Sequence, residues 1–129
     1  MNPDRKALAL EYLNAVATRD YVTVERLLAP NLAFRGPSMT RSSSADFIGA
    51  LKRLSAVHVR SDVKRVFVDG DEVCVIYDFV TDTAQGALPT IEWLHFDGSR
   101  IQAIDLYYDR LPWQSVQQTL AERAAQPAA

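Results

Sequence analysis

The run from Val66 to Asp109 restricts the possible folds more than any other part of the chain. Its apolar-rich stretches are joined by Asp69-Gly70-Asp71, Asp82-Thr83-Ala84-Gln85-Gly86 and Asp97-Gly98. Tight hairpins need residues that accept φ > 0, and Asp-Gly supplies them, so the run predicts a meander of antiparallel strands. Two carboxylates are set into it: Asp78 within Val73–Val80 and Glu92 within Thr90–Phe96. Turning even a merely polar group into a core costs about 1–3 kcal/mol, and an unpaired charge costs more. The direction of these two side chains therefore decides whether the meander carries a site.

The residues before the meander switch to helical periodicity. From about Asp4 to Thr18, Leu8, Ala9, Tyr12, Leu13, Ala15 and Val16 fall on one side of a helix, with Pro3 suited to its first turn. Asp20 is placed to cap a second helix through Leu28, ending near Ala29 because Pro30 disfavours helical geometry before it. A short strand follows over Asn31–Arg35, broken by Gly36-Pro37. Ser43-Ser44-Ala45-Asp46 has the form of a capping box, opening a helix with Phe47, Ile48, Leu51 and Leu54 as its buried stripe. From Val57 to Val68 the period is two, with Val57, Val59, Ser61 and Val63 opposed to His58, Arg60, Asp62 and Lys64, which predicts a long curved strand. Pro112 is expected to open a last helix bearing Trp113, Val116 and Leu120, with Ala124 to Ala129 frayed. Helices followed by a meander indicate an α+β fold in one domain, residues 1–129, with helices on one face of a strongly bent sheet.

Several functional classes are disfavoured at this level. Fourteen Lys and Arg against 16 Asp and Glu leave a net charge of −2, with no electrostatic footprint for nucleic acid or an anionic membrane. The start, Met1-Asn2-Pro3-Asp4-Arg5, lacks a signal-peptide stretch and no run is long enough to span a membrane, so a cytoplasmic location is expected. The single cysteine, Cys74, reads as a small core residue. Two histidines, His58 and His95, form no metal-ligand pattern, and neither a metal nor a cofactor is expected.

The element order, together with Phe34-Arg35-Gly36-Pro37, Val66 to Val75, Tyr77-Asp78, Ile91-Glu92-Trp93 and Tyr107-Tyr108-Asp109, resembles the nuclear transport factor 2-like superfamily, in particular its SnoaL-like branch. The resemblance covers nearly the whole chain. It implies a cone-shaped roll, in which the bent sheet wraps an apolar pocket closed by the N-terminal helices. The superfamily includes ketosteroid isomerases, polyketide cyclases, epoxide-hydrolase-like enzymes and non-catalytic proteins, so the fold leaves the reaction open. The isomerase pattern places its pocket tyrosine at Tyr12 and its proton-donating carboxyl at Glu92, but its general base falls on Gly36. The hydrolase Asp-Arg-Asp pattern matches Asp78, but has Ile76 in place of the arginine and Leu106 near the other aspartate.

With the hairpin centred on Gln85, Asp78 and Glu92 would fall opposite one another, their Cβ atoms about 4.5–5.5 Å apart. One of two such carboxyls in an apolar cone would have its pKa raised, leaving an acid beside a base. The alternatives are that one or both point outward, or that Arg35 or Arg53 neutralises one. Tyr12 is either a positioning hydrogen-bond donor or a packed aromatic. Phe34, Leu94, Phe96, Leu106 and Tyr108 are expected to line the pocket, with Trp93, His95, Asp105 and Asp109 facing away. These residues describe a cofactor-independent enzyme or enzyme-like binder acting on a small apolar molecule by isomerisation, cyclisation or hydration, with Asp78, Glu92 and Tyr12 as its working groups. The contrasting reading is a non-catalytic ligand-binding or dimerisation module. A homodimer is expected through the outer sheet face bearing Trp93, His95, Tyr107 and Val80.

Overall fold

The computed structural model describes residues 4–126. Its elements are α1 (Arg5–Ala17), α2 (Tyr21–Leu27), β1 (Leu28–Arg35), β2 (Thr40–Arg41), α3 (Ser44–Leu54), β3 (His58–Asp69), β4 (Glu72–Thr81), β5 (Ala87–Asp97), β6 (Arg100–Tyr108) and α4 (Arg110–Ala125). The six strands form one sheet in the order β2-β1-β6-β5-β4-β3, antiparallel throughout except where β1 runs parallel to β6. The result is the expected mixed α+β architecture, a curved sheet with α1 against β3 and β4 and α3 against β1.

Local chemistry accounts for the element ends. Asp4 accepts from the Ala7 N–H at 3.0 Å and Asp20 from the Thr23 N–H at 3.2 Å, so a carboxylate satisfies an otherwise unpaired donor at the start of each N-terminal helix. Ser43 does the same for Asp46 at 3.2 Å. The final helix starts earlier than Pro112 indicates, because Asp109 accepts from the Leu111 N–H at 3.0 Å and caps it. It continues through Ala124 to Ala125 rather than fraying there; Pro3 and residues 127–129 lie outside the described residues. Pro30 is accommodated in β1, which begins at Leu28. Gly70 and Gly98 take φ of +59° and +61° in the two tight turns, where an L side chain would be strained.

Two features depart from the expected pattern. The β4–β5 hairpin is closed by Thr81 N–H donating to the Gly86 carbonyl at 2.8 Å, which centres the turn between Thr83 and Ala84 rather than on Gln85. The pairing shifts by three residues, an odd number, so the face assigned to one strand relative to the other reverses. Asp78 pairs with Pro89, and Glu92 pairs with Val75. In β3, irregularities between His58 and Arg60 and between Val63 and Arg65 break the strict alternation. Val57 and His58 are consequently both buried, while Val59 is exposed. Cys74 is not a core residue; it stands on the outer face, half-buried, paired with Phe67 and Trp93.

Candidate active site

Inward positions alternate along the meander: Val73, Val75, Tyr77, Phe79 and Thr81 on β4, and Leu88, Thr90, Glu92, Leu94 and Phe96 on β5. Glu92 is thereby held inside the cone, 5% exposed. Tyr77 pairs with Thr90, making it the diagonal neighbour of Glu92, near enough for a long side chain to reach. Its hydroxyl donates to Glu92 Oε2 at 2.6 Å, a short charge-assisted geometry. Tyr12, buried on α1, lines one cavity with Glu92, and its hydroxyl stabilises the same carboxylate as a second donor. Burial raises Glu92 from the ordinary 4.5 to about 7, and the two tyrosine hydroxyls act the other way by stabilising the carboxylate. Both phenols are pushed well above their usual range, first by burial and then by the adjacent carboxylate.

Asp78 is not part of this cluster. It faces outward, opposite Asp62, and Lys64 Nζ lies 3.1 Å from Oδ1. The shared acid/base pair is therefore replaced by a single carboxyl between two tyrosines. The physical reason is the hairpin register: an odd shift carries Tyr77 into the cone and its neighbour Asp78 out of it.

Glu92, Tyr12 and Tyr77 border a cavity of about 70 Å³. Its other walls include Phe34, Phe47, Phe79, Leu106 and Trp113, with His58, Ser61 and Thr90 as further polar members. Five residues of the cavity wall, Met39, Ala50, Leu54, Leu106 and Trp113, also line an outer vestibule of about 540 Å³ between α3, α4 and β6, where Tyr108 lies. The inner cavity alone falls below the roughly 300–1,000 Å³ of ordinary ligand pockets, whereas cavity and vestibule together fall within it. Phe34 and Leu106 thus border the inner space and Tyr108 the outer. Leu94 and Phe96 face inward but fill the core beyond the cavity, two and four residues past Glu92 toward the Asp97-Gly98 turn. An open groove of about 570 Å³ along β2 and α3, containing Asp46, is polar; it adjoins the vestibule through Arg41, Ala50 and Arg53 and contains neither Glu92 nor the two tyrosines.

The outer face carries the remaining candidates. His95 lies between Glu72, 3.5 Å from Nδ1, and Asp105, 3.3 Å from Nε2, with its ring 4.5 Å from that of Trp93. Asp105 also receives Arg35 at 3.1 Å. Gly36, at the position of the isomerase base, stands beside the Phe34 ring and Leu106, so the cone wall there is apolar. No group of three His, Cys, Asp or Glu side chains able to hold a metal occurs among the described residues, and none of their helices is long and apolar enough to cross a membrane.

Tyr77 and His58 are the residues that sequence reasoning missed. Tyr77 was legible only through the correct hairpin register. Nothing in the two-residue period of β3 marks His58, because a bulge turns it inward.

A curved six-stranded sheet closed by helices is the fold of the small cone-shaped domains to which the nuclear transport factor 2-like proteins belong. The SnoaL-like domain model matches residues 9–104, and the chain is a member of the SnoaL-like domain family. Similar solved structures include a nuclear transport factor 2-like protein of unknown function from Cytophaga hutchinsonii, 23% identical, with 88% of this chain and 96% of that one covered at a TM-score of 0.76. A candidate SnoaL-like polyketide cyclase from Shewanella denitrificans is 20% identical, with 92% and 99% covered and a TM-score of 0.73. A candidate ketosteroid isomerase from Kribbella flavida is 18% identical, with 80% and 76% covered and a TM-score of 0.71. At these identities the likeness establishes the fold. No curated protein matches the chain.

Removing the Tyr77 hydroxyl tests the local electrostatics. In Tyr77→Phe the Glu92 carboxylate loses a donor, so its titration midpoint moves above about 7. A hydrogen bond to a charged group contributes about 1.5–3 kcal/mol, and that loss is expected above the midpoint, with a smaller one below it. Carboxyl NMR titration and urea unfolding at acidic and alkaline pH measure both effects. An unmoved midpoint would remove Tyr77 from the site.

Proposed function

We propose that this chain binds a small, mostly apolar molecule in the cone and acts on it by proton transfer through Glu92, with the Tyr77 and Tyr12 hydroxyls positioning the carboxyl. The observation that carries this reading is the buried Glu92 at the cavity wall, 2.6 Å from the Tyr77 hydroxyl. A carboxyl that titrates near 7 is a stronger base than an ordinary one when ionised and still a donor when protonated, which suits isomerisation, cyclisation or hydration near neutral pH. The residues used here act without a cofactor. The alternative is a non-catalytic ligand-binding module, in which the same carboxyl and tyrosines only hold the ligand.

The deciding experiment is hydrogen–deuterium exchange at the α-carbon of cyclic ketones such as 1-tetralone, followed by proton NMR in deuterated buffer. Exchange is expected to accelerate with rising pH around 7, as Glu92 ionises, and to fall to the uncatalysed rate in Glu92→Gln. Ketones that occupy the cavity without Glu92-dependent exchange would favour the binding module.

The outer sheet face supports a second proposal, a symmetric homodimer. Phe67, Trp93 and Tyr107 are 56%, 38% and 52% exposed there, on β3, β5 and β6. Contiguous apolar area of this kind is usually covered. Sedimentation at micromolar concentration should show a dimer that Trp93→Arg converts to monomer; a parent protein that is monomeric in that range would refute it.

A further inference from the structure

We propose that the cavity has a second polar pole, formed by Ser61, His58 and the indole N–H of Trp113, which takes an uncharged oxygen function at the end of the ligand remote from Glu92. This rests on the reading of the cone as a ligand site and adds the class of ligand: a compact apolar ring system with a hydroxyl or carbonyl at each end.

Ser61 and His58 line the same cavity as Glu92 but come from the β3 edge of the sheet. Their positions pair with Phe79 and Thr81, two and four residues beyond Tyr77 on β4. At about 3.3 Å per residue, the Ser61 position stands roughly 7 Å along the strand from the tyrosine that holds Glu92. His58 Nε2 and Ser61 Oγ are 3.0 Å apart, and the imidazole stacks on Phe79 at 4.0 Å and 15°. The ring is thus fixed by its stack and its hydroxyl partner.

The pair is uncharged near neutral pH. Burial, assisted by the nearby Arg19 charge, pushes the imidazole down to about 4, against a hydrogen bond to the Arg60 backbone. Depending on which ring nitrogen bears the proton, Ser61 donates to the imidazole and accepts from a ligand, or accepts from it and donates. The pole can meet either a hydroxyl or a carbonyl. It offers no fixed charge to balance a carboxylate.

Trp113 supplies the independent observation. It is buried, it lines both the cavity and the vestibule, and its Nε1–H has no hydrogen-bond partner among the described residues. A buried donor without a partner is destabilising, and such groups in folded proteins often await a ligand or water. Its ring packs 5.2 Å from Phe79, the residue on which His58 stacks, and 5.2 Å from Tyr108 in the vestibule, so the indole stands between the Ser61–His58 pair and the mouth of the site.

The test compares 2-naphthol with naphthalene-2,6-diol by isothermal titration calorimetry at neutral pH, using the full chain. The diol should bind about tenfold tighter, the gain of a well-placed hydrogen bond or two. The affinity ratio should fall close to one in Ser61→Ala and in His58→Phe, the second of which keeps an aromatic ring against Phe79. Far-UV circular dichroism checks that both variants are folded; a variant that does not fold is replaced by Trp113→Phe, which must also lower the ratio. Equal affinities in the parent, or a ratio unmoved by the folded variants, would overturn the second pole while 2-naphthol binding left the ligand site intact. Binding of neither probe would overturn both.

Discussion

Glu92→Gln should make the protein more stable in alkali and leave its acid stability relative to the parent at a fixed offset. The carboxyl has a folded pKa of about 7 against an ordinary 4.5. Between those values the folded state binds more protons than the unfolded chain, so stability falls as pH rises through the window and is level above it. The full shift corresponds to about 3 kcal/mol for a buried group. Glutamine is uncharged at every pH and removes that dependence. The variant's advantage over the parent should therefore grow by up to about 3 kcal/mol between about pH 4 and pH 9, read from urea unfolding at both. His58, which titrates in the opposite sense on burial, is common to both proteins and cancels in the difference. A difference that does not change with pH would mean that Glu92 is solvated, and the proton-transfer proposal would lose its base.

Leu94→Ala should be the most destabilising single truncation on the meander. Leu94 is fully buried between Val73 and Ile104 in register, and leucine-to-alanine changes in such cores cost about 2–5 kcal/mol according to how far the cavity collapses. Because Leu94 does not border the ligand cavity, the affinity for 2-naphthol in the folded variant should stay close to that of the parent. Leu106→Ala is the matching control, since Leu106 borders cavity and vestibule. It should alter binding with a smaller loss of stability. If Leu94→Ala weakened binding as strongly as Leu106→Ala, the boundary drawn between core and site would be wrong.

The site rests on one carboxyl rather than two because the chain offers two acidic residues of similar local appearance and the sheet accepts only one of them inside. Asp78 and Glu92 are each flanked by apolar residues of alternating type, and either strand by itself could be turned over without changing its pattern. The position of the hairpin centre breaks that symmetry. Thr81 and Gly86 close the loop, with the Thr81 hydroxyl also donating to the Gly86 carbonyl at 2.9 Å, and this sets the register of everything beyond. Lys64, supplied by the irregular part of β3, then pairs with the excluded aspartate.

By itself the sequence determined the elements and their chemistry: Asp20 and Ser43 as caps, the Asp-Gly turns, the apolar alternation of the meander, and with them the α+β roll. These are local properties, dictated by backbone geometry and by neighbours a few residues away. It also marked Glu92 and Tyr12 as polar groups in apolar surroundings. Only the tertiary structure decided that Tyr77 and Tyr12 converge on Glu92, that Asp78 leaves the cone, that Leu94 and Phe96 fill the core, and that His58 turns inward to meet Ser61. Each of these depends on strand register or a bulge, where a displacement of one residue exchanges the two faces of a sheet. Such displacements are chosen by the packing of the whole domain, and the period of a single strand does not encode them.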